Sequence, residues 1–147
     1  MPLSRRTVLG ALAALLVARP GLAAAAAAPA AQGAPFMALA IAGTPYHRYG
    51  EVAATLVAGD RLRLAREPGN PHDANAVAIL TEGGAKLGYV PARAAGEVAA
   101  RLDRGEAVEA AITGFLPRPA PGERFAVPEG LVRTWCEPGE PVVELRA

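Results

Sequence analysis

The chain has 147 residues, one cysteine, and 15 basic against 14 acidic side chains, for a formal net charge of +1. The lone Cys136 excludes an intramolecular disulfide, and the near-neutral balance excludes the strongly basic footprint of a tight phosphate-backbone binder. The 52% hydrophobic content is inflated by an alanine-rich N-terminus, which leaves about one domain's worth of chain to build a core.

The first element is a leader. Ser4-Arg5-Arg6-Thr7-Val8-Leu9 resembles the twin-arginine export motif. An apolar run, Thr7–Ala18, follows it, closed by Arg19-Pro20, and then comes "GLAAAAAAPAAQGA" with overlapping A-x-A sites between Ala23 and Ala28. That is the order of a charged region, a hydrophobic region and a cleavage zone. The run is shorter than the roughly 20 apolar residues that cross a bilayer, so no stable membrane span is expected. Residues 1–33 therefore read as a signal peptide with Arg5 and Arg6 as its export motif, and 34–147 as the domain. The expected partner during export is the twin-arginine translocase. The expected location is periplasmic or secreted, after a cytoplasmic precursor. Arg5, Arg6 and Arg19 are the leader's only charges, so 12 basic and 14 acidic residues remain beyond it, a net of −2.

Phe36–Gly43, short, apolar and closed by glycine, predicts a strand. "TPYHRYGEVAATLVAG" reads as a loop with two tyrosines and a histidine, then a segment of undetermined type. Asp60–Glu67 alternates, with Leu62 and Leu64 on one face and Arg61 and Arg63 on the other, as a half-buried strand requires. Ala76–Thr81 is a continuous apolar strand candidate, Glu82–Ala85 a hairpin turn, and Lys86–Val90 the return strand. "PARAAGEVAARLDRG" predicts a helix with Pro91 at its first position and Gly105 at its C-terminal cap. Its charged face, with Arg93, Glu97, Arg101 and Arg104, reads as solvated. Ala107–Phe115 predicts a strand with Val108 and Ile112 inward. Proline confines Leu116–Gly122 to a loop, and Leu131–Trp135 and Val142–Arg146 are closing strands. Trp135 reads as a barrel plug. Many short strands around one helix imply a mainly β fold: a small OB-like or SH3-like antiparallel barrel of about six strands with one or two short helices.

The least ordinary passage is "REPGNPHDANAV", Arg66–Val77. Pro68 and Pro71 fix their own φ and push the preceding residue toward extended backbone, while Gly69 supplies freedom at a tight bend. Asp73 and Asn75 can bond to nearby amides and hold the loop in place of a ladder. Two uses stay open on this chemistry: a rigid strand-to-strand crossover, or a stiff rim presenting Asn70, His72 and Asp73.

The pattern "LxLxREPxNPxDxNAVxI" with "LGYVP" and an alanine-rich helix resembles the HIRAN domain. The likeness begins at Ile41-Ala42-Gly43 and extends to "FAVPEGLVRTW", Phe125–Trp135. That family occurs as a module on eukaryotic DNA-remodelling ATPases and as free-standing bacterial proteins. The resemblance implies a modified OB-like barrel that grips the 3′ end of single-stranded DNA. An aspartate would take the terminal hydroxyl and aromatic rings would stack on the last bases, a contact every base can make. Carried onto this sequence, the acidic ligand falls on Asp73, the loop asparagine on Asn70, and the stacking rings on Tyr46 and Phe125. His72 stands where the family has a pocket tyrosine, and Tyr89 where it has a histidine. Pro71 and Asn75 are the structural loop residues. Pro45 and Ala92 replace an arginine and a phosphate-binding lysine, so two cationic contacts are missing; Arg48 and Arg93 are the candidates to compensate.

No other constellation competes. His47, His72 and Cys136 lack metal-site spacing, Ser4 is the sole serine, and no phosphate loop is present, so neither metal, cofactor nor catalysis is expected. A distant Cys136–His nucleophile pair has no supporting motif. Two functions follow. One is a non-catalytic nucleic-acid-binding module for single-stranded DNA ends, built on Tyr46, Asn70, His72, Asp73, Tyr89 and Phe125. The other is an exported binding or scaffold protein that turns the same barrel to a peptide, glycan or small acidic ligand.

Overall fold

A computed structural model describes residues 32–133 and 137–147. The leader with Arg5 and Arg6, together with Trp135 and Cys136, lies outside the described residues. Six strands are present: β1 (Pro35–Ala40), β2 (Arg61–Arg66), β3 (Val77–Thr81), β4 (Lys86–Tyr89), β5 (Glu109–Phe115) and β6 (Pro141–Arg146). They form one antiparallel sheet in the order β1-β6-β5-β2-β3-β4. The sheet curls into an incomplete barrel whose two edges meet at a single bridge, where Ala42, just beyond β1, exchanges backbone hydrogen bonds of 2.8 and 2.9 Å with Tyr89.

Gly88 permits that meeting. A Cβ at this position would lie 2.3 Å from the Ala42 carbonyl oxygen and 2.7 Å from the Ile41 side chain. Only a residue without a side chain lets the backbones approach so closely.

The alternation read in Asp60–Glu67 holds: Leu62 is buried and Leu64 packs against the core, while Arg63 faces solvent. The core lies inside the curl, built from Leu39, Ile41, Ile79, Leu87, Ile112 and Leu145. Helix α2 (Ala92–Asp103) closes one end with Ala94, Ala95, Val98 and Ala99 buried. It starts one residue later than predicted. Pro91 is the N-cap, with extended ψ, and the helix ends in a Schellman arrangement: Gly105, at φ +77°, and Glu106 donate to Leu102 and Arg101 carbonyls.

Two further expectations are corrected, and a segment left open is resolved. The predicted first strand stops at Ala40, because Gly43 at φ +76° turns the chain into a 3-10 turn, Thr44–Tyr46. The segment of undetermined type is a single helical turn, α1 (Tyr49–Val52), and another 3-10 turn, Ala53–Thr55. The closing strand proposed at Leu131–Trp135 reduces, among the described residues, to Val132 bridging Leu39 in parallel. The charged face of α2 is not merely solvated either. The Arg101 guanidinium lies 4.2 Å from the Phe36 ring centre and reaches both Glu97 and Glu106, so it covers core as a cation–π lid.

Candidate functional site

The Arg66–Val77 loop is built from local hydrogen bonds. Asn70 N–H donates to the Glu67 carbonyl across Pro68-Gly69, and Ala76 N–H donates to the Asp73 carbonyl. Two side chains finish it: Asn70 Oδ1 accepts the His72 amide at 2.9 Å and Asp73 Oδ1 accepts the Asn75 amide at 2.8 Å. Both are Asx turns, in which the acceptor must stand two residues before the donor. Asn75 is therefore a donor through its backbone rather than the side-chain acceptor expected of it. Gly69 does not adopt positive φ, so proline, not glycine freedom, shapes that bend. Arg66 ties the loop down, donating to the Ala74 and Ala76 carbonyls while pairing with Asp103 of α2 at 2.9 Å.

The loop forms one wall of a groove of about 490 Å³. Asn70, His72 and Asp73 stand on that wall. Facing them are Tyr46, the last residue of the first 3-10 turn, and His47, which caps it, with Tyr89 and Ala92 between. Five of the six residues expected at a binding site thus share one depression. Phe125 does not line it. That side chain is half-buried in the strandless stretch between Leu116 and Val132, where the nearest backbone tie is a local turn from Glu123 to Ala120. Tyr46 is 87% exposed, an aromatic face standing free on the rim.

Tyr89 is held from below. Its hydroxyl donates to Glu67 Oε2 at 2.7 Å and accepts from Lys86 Nζ at 3.1 Å and Asn70 Nδ2 at 3.3 Å. Glu67 also pairs directly with Lys86, whose ammonium lies 4.8 Å from the Tyr89 ring centre. His47 meets the same ring edge-on at 5.2 Å. Burial, and then the neighbouring Lys86 charge, lower the His47 pKa, so the groove receives a neutral imidazole at pH 7. Sequence reasoning missed Glu67, Lys86 and His47. Their role depends on three segments meeting, although the family-like "REP" did carry Glu67.

Another residue missed is Glu140, buried 96 positions from its partner. Thr44 Oγ1 donates to Glu140 Oε1 at 2.7 Å, and Oε2 accepts the Glu137 amide at 2.9 Å. This carboxylate fastens the turn that carries Tyr46 to the entrance of β6. Of the two compensating cations proposed, Arg48 is occupied by Glu51 at 2.9 Å. Arg93 is exposed in the first turn of α2, next to Ala92, with no ion pair among the described residues.

The Glu67–Lys86 pair makes a pH prediction. Hydrogen bonds from Lys86, then from Tyr89, lower the Glu67 pKa, and the bond to Glu67 raises that of Lys86. The Glu67 contribution is full above its ordinary value of 4.5 and is lost as pH falls through its lower folded value. The Lys86 contribution is full below 10.5 and lost as pH rises through its higher folded value. Glu67→Gln should therefore cost about 1 kcal/mol near pH 7, a deficit that holds across that window and shrinks in acid. Thermal melts of both proteins from pH 3 to 9 check it; a deficit unchanged at pH 3 would contradict the pairing.

The HIRAN domain sequence profile matches residues 37–120. The crystal structure of a protein from Lactobacillus plantarum superposes with a TM-score of 0.54 at 21% identity, over 79% of this chain and 98% of that one, which supports the fold. The crystal structure of the HIRAN domain of human HLTF gives 0.48 at 19% identity, over 76% of each chain. No curated protein matches the sequence. With the profile spanning the barrel from β1 through the groove to the end of β5, the chain belongs to the HIRAN domain family.

Proposed function

We propose that the groove binds the end of a single nucleic-acid strand, with the terminal 3′-hydroxyl donating to Asp73 and the last bases lying against Tyr46 and Tyr89, and that the domain performs no chemistry on it. The observation that supports this best is a carboxylate sharing one groove with aromatic faces. Asp73 is an acceptor suited to a hydroxyl and hostile to a phosphate, and the rings offer stacking worth roughly 1–3 kcal/mol per base. The N-terminal turn of α2 contains no acidic residue and opens at Ala92, so its free amides and Arg93 are placed to receive a backbone phosphate in lieu of the missing lysine.

The test is fluorescence polarisation with labelled single strands whose ends are free or 3′-phosphorylated. The free end is expected to bind more tightly. Equal binding would remove the hydroxyl contact, and no binding at low salt would leave the groove to a peptide, glycan or small acid.

Export is a separate part of the proposal: residues 1–33 carry the protein across the cytoplasmic membrane by the twin-arginine route. Replacing Arg5 and Arg6 together by lysine should abolish export, read as retention of the full-length chain in the cytoplasmic fraction. Undiminished export of that variant would refute the assignment.

A further inference from the structure

The main groove does not stop at its rim. A second depression of about 400 Å³ shares His47 with it and is walled by Thr44, Tyr49, Arg118, Glu137 and Glu140, the last with both carboxylate oxygens engaged by Thr44 and the Glu137 amide. A third, of about 580 Å³, shares Tyr49, Arg118 and Gly139 with the second and adds Phe115. The three form a chain of hollows running from the Asp73 loop past the 3-10 turn to the end of β5.

Two side chains along this track have no evident structural employment. Phe115 is the last residue of β5 and is 38% exposed. Among the described residues the other large exposed aromatic is Tyr46, at the opposite end of the same track. Arg118 has no carboxylate partner among the described residues, whereas Arg48, Arg61, Arg66, Lys86 and Arg146 are all paired. The Arg118 guanidinium lies against Gly139 so closely that a Cβ there would come within 2.6 Å of Nη2. An exposed guanidinium without an ion pair of its own, near an exposed ring, is the pairing that single strands use, a cation for the phosphate and a π-face for the base.

Size points the same way. A hollow of about 490 Å³ falls in the roughly 300–1,000 Å³ range of small-ligand pockets, so it suits terminal nucleotides. OB-type barrels cover about 4–16 nucleotides of strand.

We propose that the bound strand continues 5′-ward from the main groove past His47 into a second subsite, where Phe115 stacks on a base and Arg118 holds a neighbouring phosphate. This rests on the reading that the main groove takes the strand's 3′ end.

The experiment measures binding of oligothymidylates of three and of ten nucleotides, with free 3′-hydroxyls, to the full chain. The wild type should bind the ten-mer more tightly than the three-mer. Phe115→Ala and Arg118→Gln should each weaken ten-mer binding by about tenfold and leave three-mer binding unchanged, which also shows that the variants fold. Arg118→Gln should flatten the slope of log K against log salt by about 0.7, the loss of one single-strand phosphate contact, and Arg118→Lys should restore it. Unchanged ten-mer binding in both variants, or equal wild-type affinity for the two lengths, would overturn the second subsite and leave the main groove standing. Parallel losses at both lengths would mark Phe115 and Arg118 as structural and overturn it too. If neither length binds the wild type, the groove reading itself falls first.

Discussion

Gly88→Ala is expected to lower the stability of the domain by about 2–3 kcal/mol, the upper part of the range for overpacking a tight contact, and its Tm by about 10 °C. The methyl group would meet a backbone oxygen at 2.3 Å, and a carbonyl within a hydrogen-bonded bridge cannot swing aside as a side chain can. Either the Ala42–Tyr89 bridge breaks or β4 shifts against β3, where Gly88 already sits beside an irregularity in the register. Both routes part the two edges of the sheet. They also displace Tyr89, so the groove should lose its ligand along with its stability. Differential scanning calorimetry reads the first effect and polarisation binding the second. A melting point within about 2 °C of wild type would mean that the edges are not held together by this approach. Ala95 of α2 is a useful contrast, since Ala95→Gly removes a methyl from a buried site, where Gly88→Ala adds one, and leaves the bridge intact.

Why some of this was legible in the sequence and some was not follows from the range of the interactions. Leu62 and Leu64 alternate with arginines, and that local period gave β2. Gly105 just after the last apolar turn of α2 gave its end. The stretch Thr44–Thr55 has no such period. Gly43 at positive φ opens its first turn, but a buried Thr44–Glu140 hydrogen bond across 96 residues fastens it, so no local window contains the whole cause. The edge-to-edge closure was hidden for the same reason: it is one residue pair, Ala42 with Tyr89, not a strand.

The groove was legible mainly through family likeness. Asp73 and Asn70 stand in a motif and Tyr46 at a matching position, while Tyr89 takes the place of the family's histidine. The chemistry beneath them was not, because Glu67, Lys86 and Tyr89 converge from three segments into one network. Phe125 shows the limit of such carry-over. Likeness assigned it a stacking role, but the residues around it, from Pro117 to Leu131, form no strand and it does not line the groove.

Asp73→Asn should abolish discrimination between free and 3′-phosphorylated ends, and should weaken binding of the free end by about tenfold. The substitution is chosen for what it keeps. Asp73 Oδ1 accepts the Asn75 amide, and an asparagine carbonyl oxygen can take over that bond, so the loop retains its shape. What disappears is the negative charge. A hydroxyl bound to a carboxylate forms a charge-assisted hydrogen bond, about twice as strong as a neutral one, and hydrogen bonds to charged groups contribute roughly 1.5–3 kcal/mol. A phosphate at the same place meets repulsion from the carboxylate, and the amide relieves it. The two ends therefore respond in opposite directions: the free end binds more weakly and the phosphorylated end at least as well as before. Asp73→Ala removes the turn acceptor as well and should be worse for both ends. Arg101→Ala, whose guanidinium covers Phe36 away from the groove, should change neither. Equal losses for free and phosphorylated ends in Asp73→Asn would show that this carboxylate only braces the loop. The proposed contact between the terminal hydroxyl and Asp73 would fall with it.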